Sequence, residues 1–184
     1  MSLLNSRESL VNHERNILKG LAAGAIGGLV ASWVMEKFQS AWTEMASSTS
    51  KADESSSDDD SASSAPATVK AAELVSQKLF GHQLAKNEKK IAGDAVHYAT
   101  GGTSAAVYGV AAEFVPELTT GAGIPFGIVV WLIVDEGAVP LLRLSKGPTN
   151  YPLSTHVYAL ASHFVYGVTT EVVRRTLRRS ILSY

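Results

Sequence analysis

Among the side chains able to change charge that stand in or beside stretches otherwise nearly free of polar groups, seven could share chemistry. They are Glu36, Asp94, His97, Asp135, Glu136, His156 and His163. Histidine gains its charge between about pH 5 and 8, and a nearby carboxylate favours the charged form. Such a set can take up protons and repack, relay protons, or hold a divalent cation. Asp94 and His97, at i and i+3, could reach one ion from one helix face. His156 and His163 could not: seven residues at a rise of about 1.5 Å set them about 10.5 Å apart, against zinc–nitrogen bonds of about 2 Å. With no His-Glu-x-x-His pair and no cysteine, no metal and no cofactor is expected. No Gly-x-Ser-x-Gly, phosphate-binding glycine loop or spaced Ser/His/Asp set occurs either, so no catalytic residue is assigned and the chain is not expected to be an enzyme. The plainer role for the seven is polar glue. In that role His163 bonds a neighbouring helix, and Asp135 and Glu136 pair with Arg143 or flank a helix break near Gly137 and Pro140.

The elements that must position these groups are apolar helices. The chain has 184 residues, with 16 Lys+Arg against 17 Asp+Glu, a near-balance that argues against a nucleic-acid partner. Charged residues make up 18%, below the roughly 25% usual in soluble domains. Mean hydropathy is +0.09, an average over very polar and very apolar segments. Four apolar stretches stand out: Ile17–Val34, Ala95–Ala112, Gly121–Leu142 and Leu153–Val173. Each is about 20 residues, the length that crosses a hydrocarbon core of about 30 Å. The expected fold is all-α: an integral membrane four-helix bundle with a disordered acidic loop. A soluble bundle would lack the polar surface to wrap four such helices. The first stretch reads as a signal anchor, because Met35-Glu36-Lys37 follows it without a small-x-small cleavage site.

The expected organisation is a cytoplasmic segment over 1–16, a first transmembrane helix over 17–38, and a Ser/Asp-rich loop over 39–68. An amphipathic surface helix with a basic linker follows over 69–90, then a three-span region over 91–184. Ser47–Ser64 holds nine serines and five acidic residues, too little apolar surface to offset the entropy of ordering. Val69–Leu84 carries a modest apolar face, with Gly81 as its C-cap. Arg174, Arg175, Arg178 and Arg179 follow the last stretch, favouring a cytoplasmic C-terminus in contact with anionic lipid headgroups. With four spans, Arg7, Arg15 and Lys19 fall on that same side.

That topology brings Glu36, Asp94, His97, Asp135, Glu136 and His156 toward one side of the bilayer as a proton-responsive cluster. Asp94, His97, Gly101, Ser104 and Tyr108 share one stripe that should face the bundle interior. Gly20, Gly24 and Gly28 form a small-residue stripe on the first span, and Gly101, Ala105 and Gly109 form one on the second. Stripes of this kind let helix backbones pack closely in lipid, within the bundle or in a homo-oligomer or complex with another membrane protein. The functions these features support are a non-enzymatic response to acid or envelope stress, a structural or assembly subunit, or a small oligomeric proton or ion channel.

The second half also resembles a known family. Ala112-Glu113-Phe114-Val115-Pro116, His163-Phe164-Val165-Tyr166 and Glu171-Val172-Val173-Arg174-Arg175-Thr176-Leu177-Arg178 are similar to the YagU-like family of small bacterial inner-membrane proteins. The likeness covers roughly 95–180. It implies a multi-pass bacterial inner-membrane protein of unknown function, with Glu113, His163, Glu171, Arg174 and Arg175 as family-like positions.

Overall fold

The computed structural model describes residues 2–50 and 65–180, which are helical with no strand among them. Helix α1 runs over Ser2–Ser50. Helix α2 (Ala67–Val75) widens into a π-helical turn at Ser76–Phe80 and stops at Gly81, whose φ of 64° makes it the expected left-handed cap. Helix α3 spans Lys86–Phe114. Helix α4 (Ile124–Ile133) continues through a π-helical turn at Val134–Ala138 into Val139–Leu141. Helix α5 spans Leu153–Ser180. The expected break near Gly137 and Pro140 is this π turn. Proline has no N–H to donate back to Glu136 and its ring crowds that carbonyl, so the helix widens there rather than stopping.

Helix α1 extends past the expected first transmembrane helix at both ends. The N-terminal segment is helical from Ser2, consistent with the lack of glycine or proline before Gly20. At the other end α1 runs well past 39, where a loop was expected. Ser40, Thr43, Ser47 and Ser48 donate to the carbonyls of Glu36, Gln39, Thr43 and Glu44 at 2.8–2.9 Å, so these hydroxyls bond within the helix instead of competing with it. Trp42 also packs on Tyr158 of α5, ring centroids 5.8 Å apart. The core of the expected disordered loop, 51–64, lies outside the described residues.

Helix α1 packs on α3 and α5, α4 packs on α5, and α2 lies along α3. Each of the first three contacts is antiparallel. The two glycine stripes meet each other inside the chain. A methyl group on Gly28 would sit 2.5 Å from both the Gly101 carbonyl oxygen and the Ala105 methyl, and one on Gly20 would sit 2.7 Å from the Gly109 oxygen. A second seam, not foreseen from the sequence, joins α4 to α5, where Gly123 and Gly127 press against the backbone of Gly167 and His163.

Small residues at the seams leave a small apolar core of Ala31, Met35, Ala105 and Tyr166, flanked by Phe126 and Val130. The largest fully buried side chains are polar: Glu171, Thr170, Ser32 and Ser162. Large apolar side chains lie outside instead, among them Leu18, Ile26, Trp33, Val107, Ile133 and Val172. Among the described residues, two helices are long and apolar enough to cross a membrane, Glu14–Ser48 and Ile124–Leu141. Helices α3 and α5 are as long but not as apolar, because each carries a stripe of polar and ionisable groups. Of the four expected spans, the first and third lie in helices that pass this test of length and composition.

Candidate functional site

The antiparallel pairing sets the end of α1, the start of α3, the end of α4 and the start of α5 side by side. A cavity of about 560 Å³ opens there, with the start of α2 at its edge. Its wall includes Glu36, Asp94, His97 and Asp135, four of the six residues expected to converge, and also His163. Tyr98 donates to Glu36 at 2.9 Å, Lys90 donates to Asp94 at 2.9 Å, and the His97 Nε2 lies 3.4 Å from the Ser32 carbonyl oxygen. His163 Nδ1 stands 2.8 Å from the Ala159 carbonyl oxygen and 3.8 Å from Asp135. A carbonyl can only accept, so this nitrogen carries the proton.

The other two residues form a pair of their own. His156 Nδ1 lies 2.8 Å from Glu136, and its Nε2 lies 3.0 Å from the Pro148 carbonyl oxygen. Both ring nitrogens face acceptors when Glu136 is ionised, an arrangement that the doubly protonated ring satisfies. Glu136 therefore binds His156 and not Arg143. Asp94, His97 and Gly101 of the expected α3 stripe line the cavity, while Tyr108 is buried farther along.

At the opposite end lies a network that spacing on α5 alone could have suggested. Glu171, Arg174, Arg175 and Arg178 fall at i, i+3, i+4 and i+7, one helix face. Glu171, 1% exposed, accepts from Arg174 Nε at 2.7 Å, from Arg174 Nη2 at 2.9 Å and from Arg175. Tyr108 of α3 donates to the same carboxylate at 2.9 Å while stacking on Phe126 of α4, centroids 4.2 Å apart. Arg175 also donates to the Thr119 carbonyl at 2.7 Å, and Arg178 clamps Glu113 with two bonds of 2.7 and 2.6 Å. Four of the five family-like positions thus lie at this end, Glu171, Arg174 and Arg175 bonded together and Glu113 bonded to Arg178, with His163 apart in the cavity. Three of the four tail arginines, expected at lipid headgroups, are engaged by carboxylates; Arg179 is exposed.

Outside the apolar stretches, Glu88 starts α3 by accepting from the Ala85 N–H at 2.7 Å. That bond, helped by His82, holds its carboxyl below the usual range. No group of three or more His, Asp or Glu among the described residues is arranged to hold a metal ion.

Comparison with known proteins places this architecture in a class defined by sequence alone. The model of a family described as a protein of unknown function (DUF1440) matches residues 65–172, more than half the chain, from α2 to late α5. The chain belongs to that family. No curated protein matches it, and no solved structure does.

Proposed function

We propose that this is a multi-pass protein of the bacterial inner membrane, of the YagU-like kind, whose one-sided cavity takes up protons as the pH on that side falls. The reading is non-enzymatic. Membrane integration is supported by the inverted distribution of side chains. In water, the exposed faces of α1 and α4 would form an apolar surface far beyond what a soluble monomer carries. Helices α3 and α5 would cross with them, their polar stripes turned onto α1 and α4 and residues such as Val107, Val157 and Val172 turned to lipid. The arginine-rich end favours the cytoplasm, which sets the cavity toward the periplasm with both termini cytoplasmic.

The proton response rests on one observation: Glu36, Asp94, His97, Asp135 and His163 line a single cavity between helices. Adding protons there cancels carboxylate charge and charges imidazole, which changes the attraction among four helices at one end. The glycine stripes are occupied by each other, so nothing in them favours an assembly subunit. The test is proton uptake between pH 8 and 5 by purified protein in nanodiscs, with sidedness reporters in the 51–64 segment and after Tyr184. Asp94→Asn combined with His97→Ala should reduce the uptake and any accompanying tryptophan fluorescence change. Unchanged uptake in a stable double variant would refute the proton reading, and loop and tail on one side would refute four spans.

A further inference from the structure

We infer that the connection between α4 and α5, residues 142–152, is a strap over the cavity, latched by doubly protonated His156 and released when that ring loses a proton. The strap regulates access to the cavity of the proton reading, and rests on that reading for its purpose. Leu142 and Leu144 of the strap stand in the cavity wall, and Leu144 is 6% exposed. The Leu144 N–H donates to the Val139 carbonyl at 3.0 Å, and the Arg143 N–H donates to that of Pro140 at 2.9 Å. Arg143 turns the chain between them with a φ of 58°, a left-handed conformation that suits glycine and strains an arginine. A turn of this kind persists when the surrounding structure holds it in place.

Beyond Leu144, the strap bonds mainly to itself. The Lys146 N–H donates to the Tyr151 hydroxyl at 3.3 Å, and the Tyr151 N–H donates to the Pro148 carbonyl at 3.2 Å. The Asn150 N–H and side chain both donate to the Gly147 carbonyl, at 2.9 and 3.2 Å. Among the described residues, the one hydrogen bond from 145–151 to a helix joins the Pro148 carbonyl to His156 Nε2, at 3.0 Å. The same ring reaches Glu136, in the π turn of α4, through Nδ1 at 2.8 Å. His156 therefore ties the strap to both of the helices it connects.

The tie opens in one direction of pH. The ring, 24% exposed, is within reach of bulk protons. Glu136 is the charged side chain set against it; Asp135 is turned to His163, and Arg143 and Lys146 of the strap form no ion pair among the described residues. A neutral imidazole keeps one N–H. The carboxylate at 2.8 Å is the stronger acceptor, so the proton stays on Nδ1 and leaves Nε2, whose lone pair then faces the Pro148 carbonyl. The strap loses its tie, and Leu144 can leave the wall. In acid the latch stays shut, because a protonated Glu136 still has a carbonyl oxygen to accept from Nδ1. The fall in pH that loads the cavity with protons thus also closes the strap over them.

The test is amide hydrogen exchange of the full chain in nanodiscs between pH 5 and 9, read by mass spectrometry and corrected for the intrinsic rate at each pH. Protection over 142–152 should fall about tenfold as pH rises, the worth of one hydrogen bond to a charged group, while protection over 161–173 of α5 holds. Glu136→Gln keeps an acceptor for Nδ1 but removes the charge that favours the imidazolium, so the fall should move to lower pH, a shift that a merely structural contact would not show. His156→Gln has a single donor nitrogen and cannot span both acceptors, so its strap should be loose at every pH. Where that variant does not fold, the parent profile and Glu136→Gln decide. Protection level with pH in the parent, an unmoved midpoint in Glu136→Gln, or a parent-like profile in His156→Gln overturns the inference. Proton uptake with a strap indifferent to pH sinks this inference alone, whereas a pH-dependent strap without proton uptake sinks only the proton reading.

Discussion

Replacing Gly28 with alanine tests whether the α1–α3 seam is as close as it looks. The added methyl would lie 2.5 Å from the Gly101 carbonyl oxygen and from the Ala105 methyl, where ordinary contact needs at least 3.4 Å. One of these obstacles is backbone, so the helices must move apart by about 1 Å, the scale of overpacking that costs about 1–3 kcal/mol. Alanine in a helix interior returns about 0.8–1 kcal/mol of propensity over glycine. The middles of the two ranges leave a net expected loss of about 1 kcal/mol, and Gly28→Val, which gains less propensity and adds more bulk, should lose more. Gly147→Ala is the control. Its φ is −63° and its nearest neighbour would be the Asn150 side chain at 3.5 Å, so it should be neutral or slightly stabilising. The assay is unfolding in micelles followed by circular dichroism, where the loss corresponds to about 2–4 °C in melting temperature. If Gly28→Ala melts with the parent and with Gly147→Ala, the seam is not backbone on backbone, and the packing argument fails.

Two further predictions concern charged groups. Glu171→Leu strips Arg174, itself 7% exposed, of its carboxylate and should destabilise the fold by about 3–5 kcal/mol, while Tyr108→Phe removes one hydrogen bond to that carboxylate and should cost about 1 kcal/mol. Parent-like melting of Glu171→Leu would show that the network does not hold that end together. Glu88, with its carboxyl pKa lowered by the Ala85 N–H, adds stability above the ordinary carboxylate range and loses it as pH falls through the lowered value. Hydrogen exchange in the first turn of α3 should accelerate in acid, and Glu88→Gln should flatten that dependence; an identical acid profile in the variant would refute the capping role.

How much of this the sequence disclosed depends on the range of the interaction. Hydropathy located the helical stretches, Gly81 marked a helix end, and Pro140 marked a distortion, because each acts within a turn or two of itself. The convergence of Glu36, Asp94, His97 and Asp135 was legible too, since it follows from alternating helix direction. His156 and Glu136 fell out of the group because their rings and carboxylates satisfied each other first. Tyr108 reaching Glu171, and Arg178 reaching Glu113, were not legible. Those bonds join residues far apart in sequence and depend on helix rotation, which hydrophobic period does not set when small residues line every face. The α4–α5 seam was not legible for a related reason: Gly123 and Gly127 stand within an apolar run, and only Gly167 opposite them reveals their use. The end of α1 was misplaced because serine-rich composition suggests a loop, while hydroxyls bonded to their own helix do not interrupt it.

The inverted interior has a thermal consequence. A soluble domain owes the domed shape of its stability curve to apolar surface that meets water on unfolding and raises the heat capacity by about 12–15 cal/mol/K per residue. Helices parted within a bilayer would instead bring Gly, Ala, Ser and the buried Glu171 into contact with acyl chains, and the outward leucines and valines would keep the surroundings they already had. The heat capacity of such a separation is close to zero, so its free energy should run nearly straight with temperature, with no maximum near room temperature and no cold-induced opening. A pronounced heat-capacity step in lipid would mean that water, and not hydrocarbon, bathes this surface.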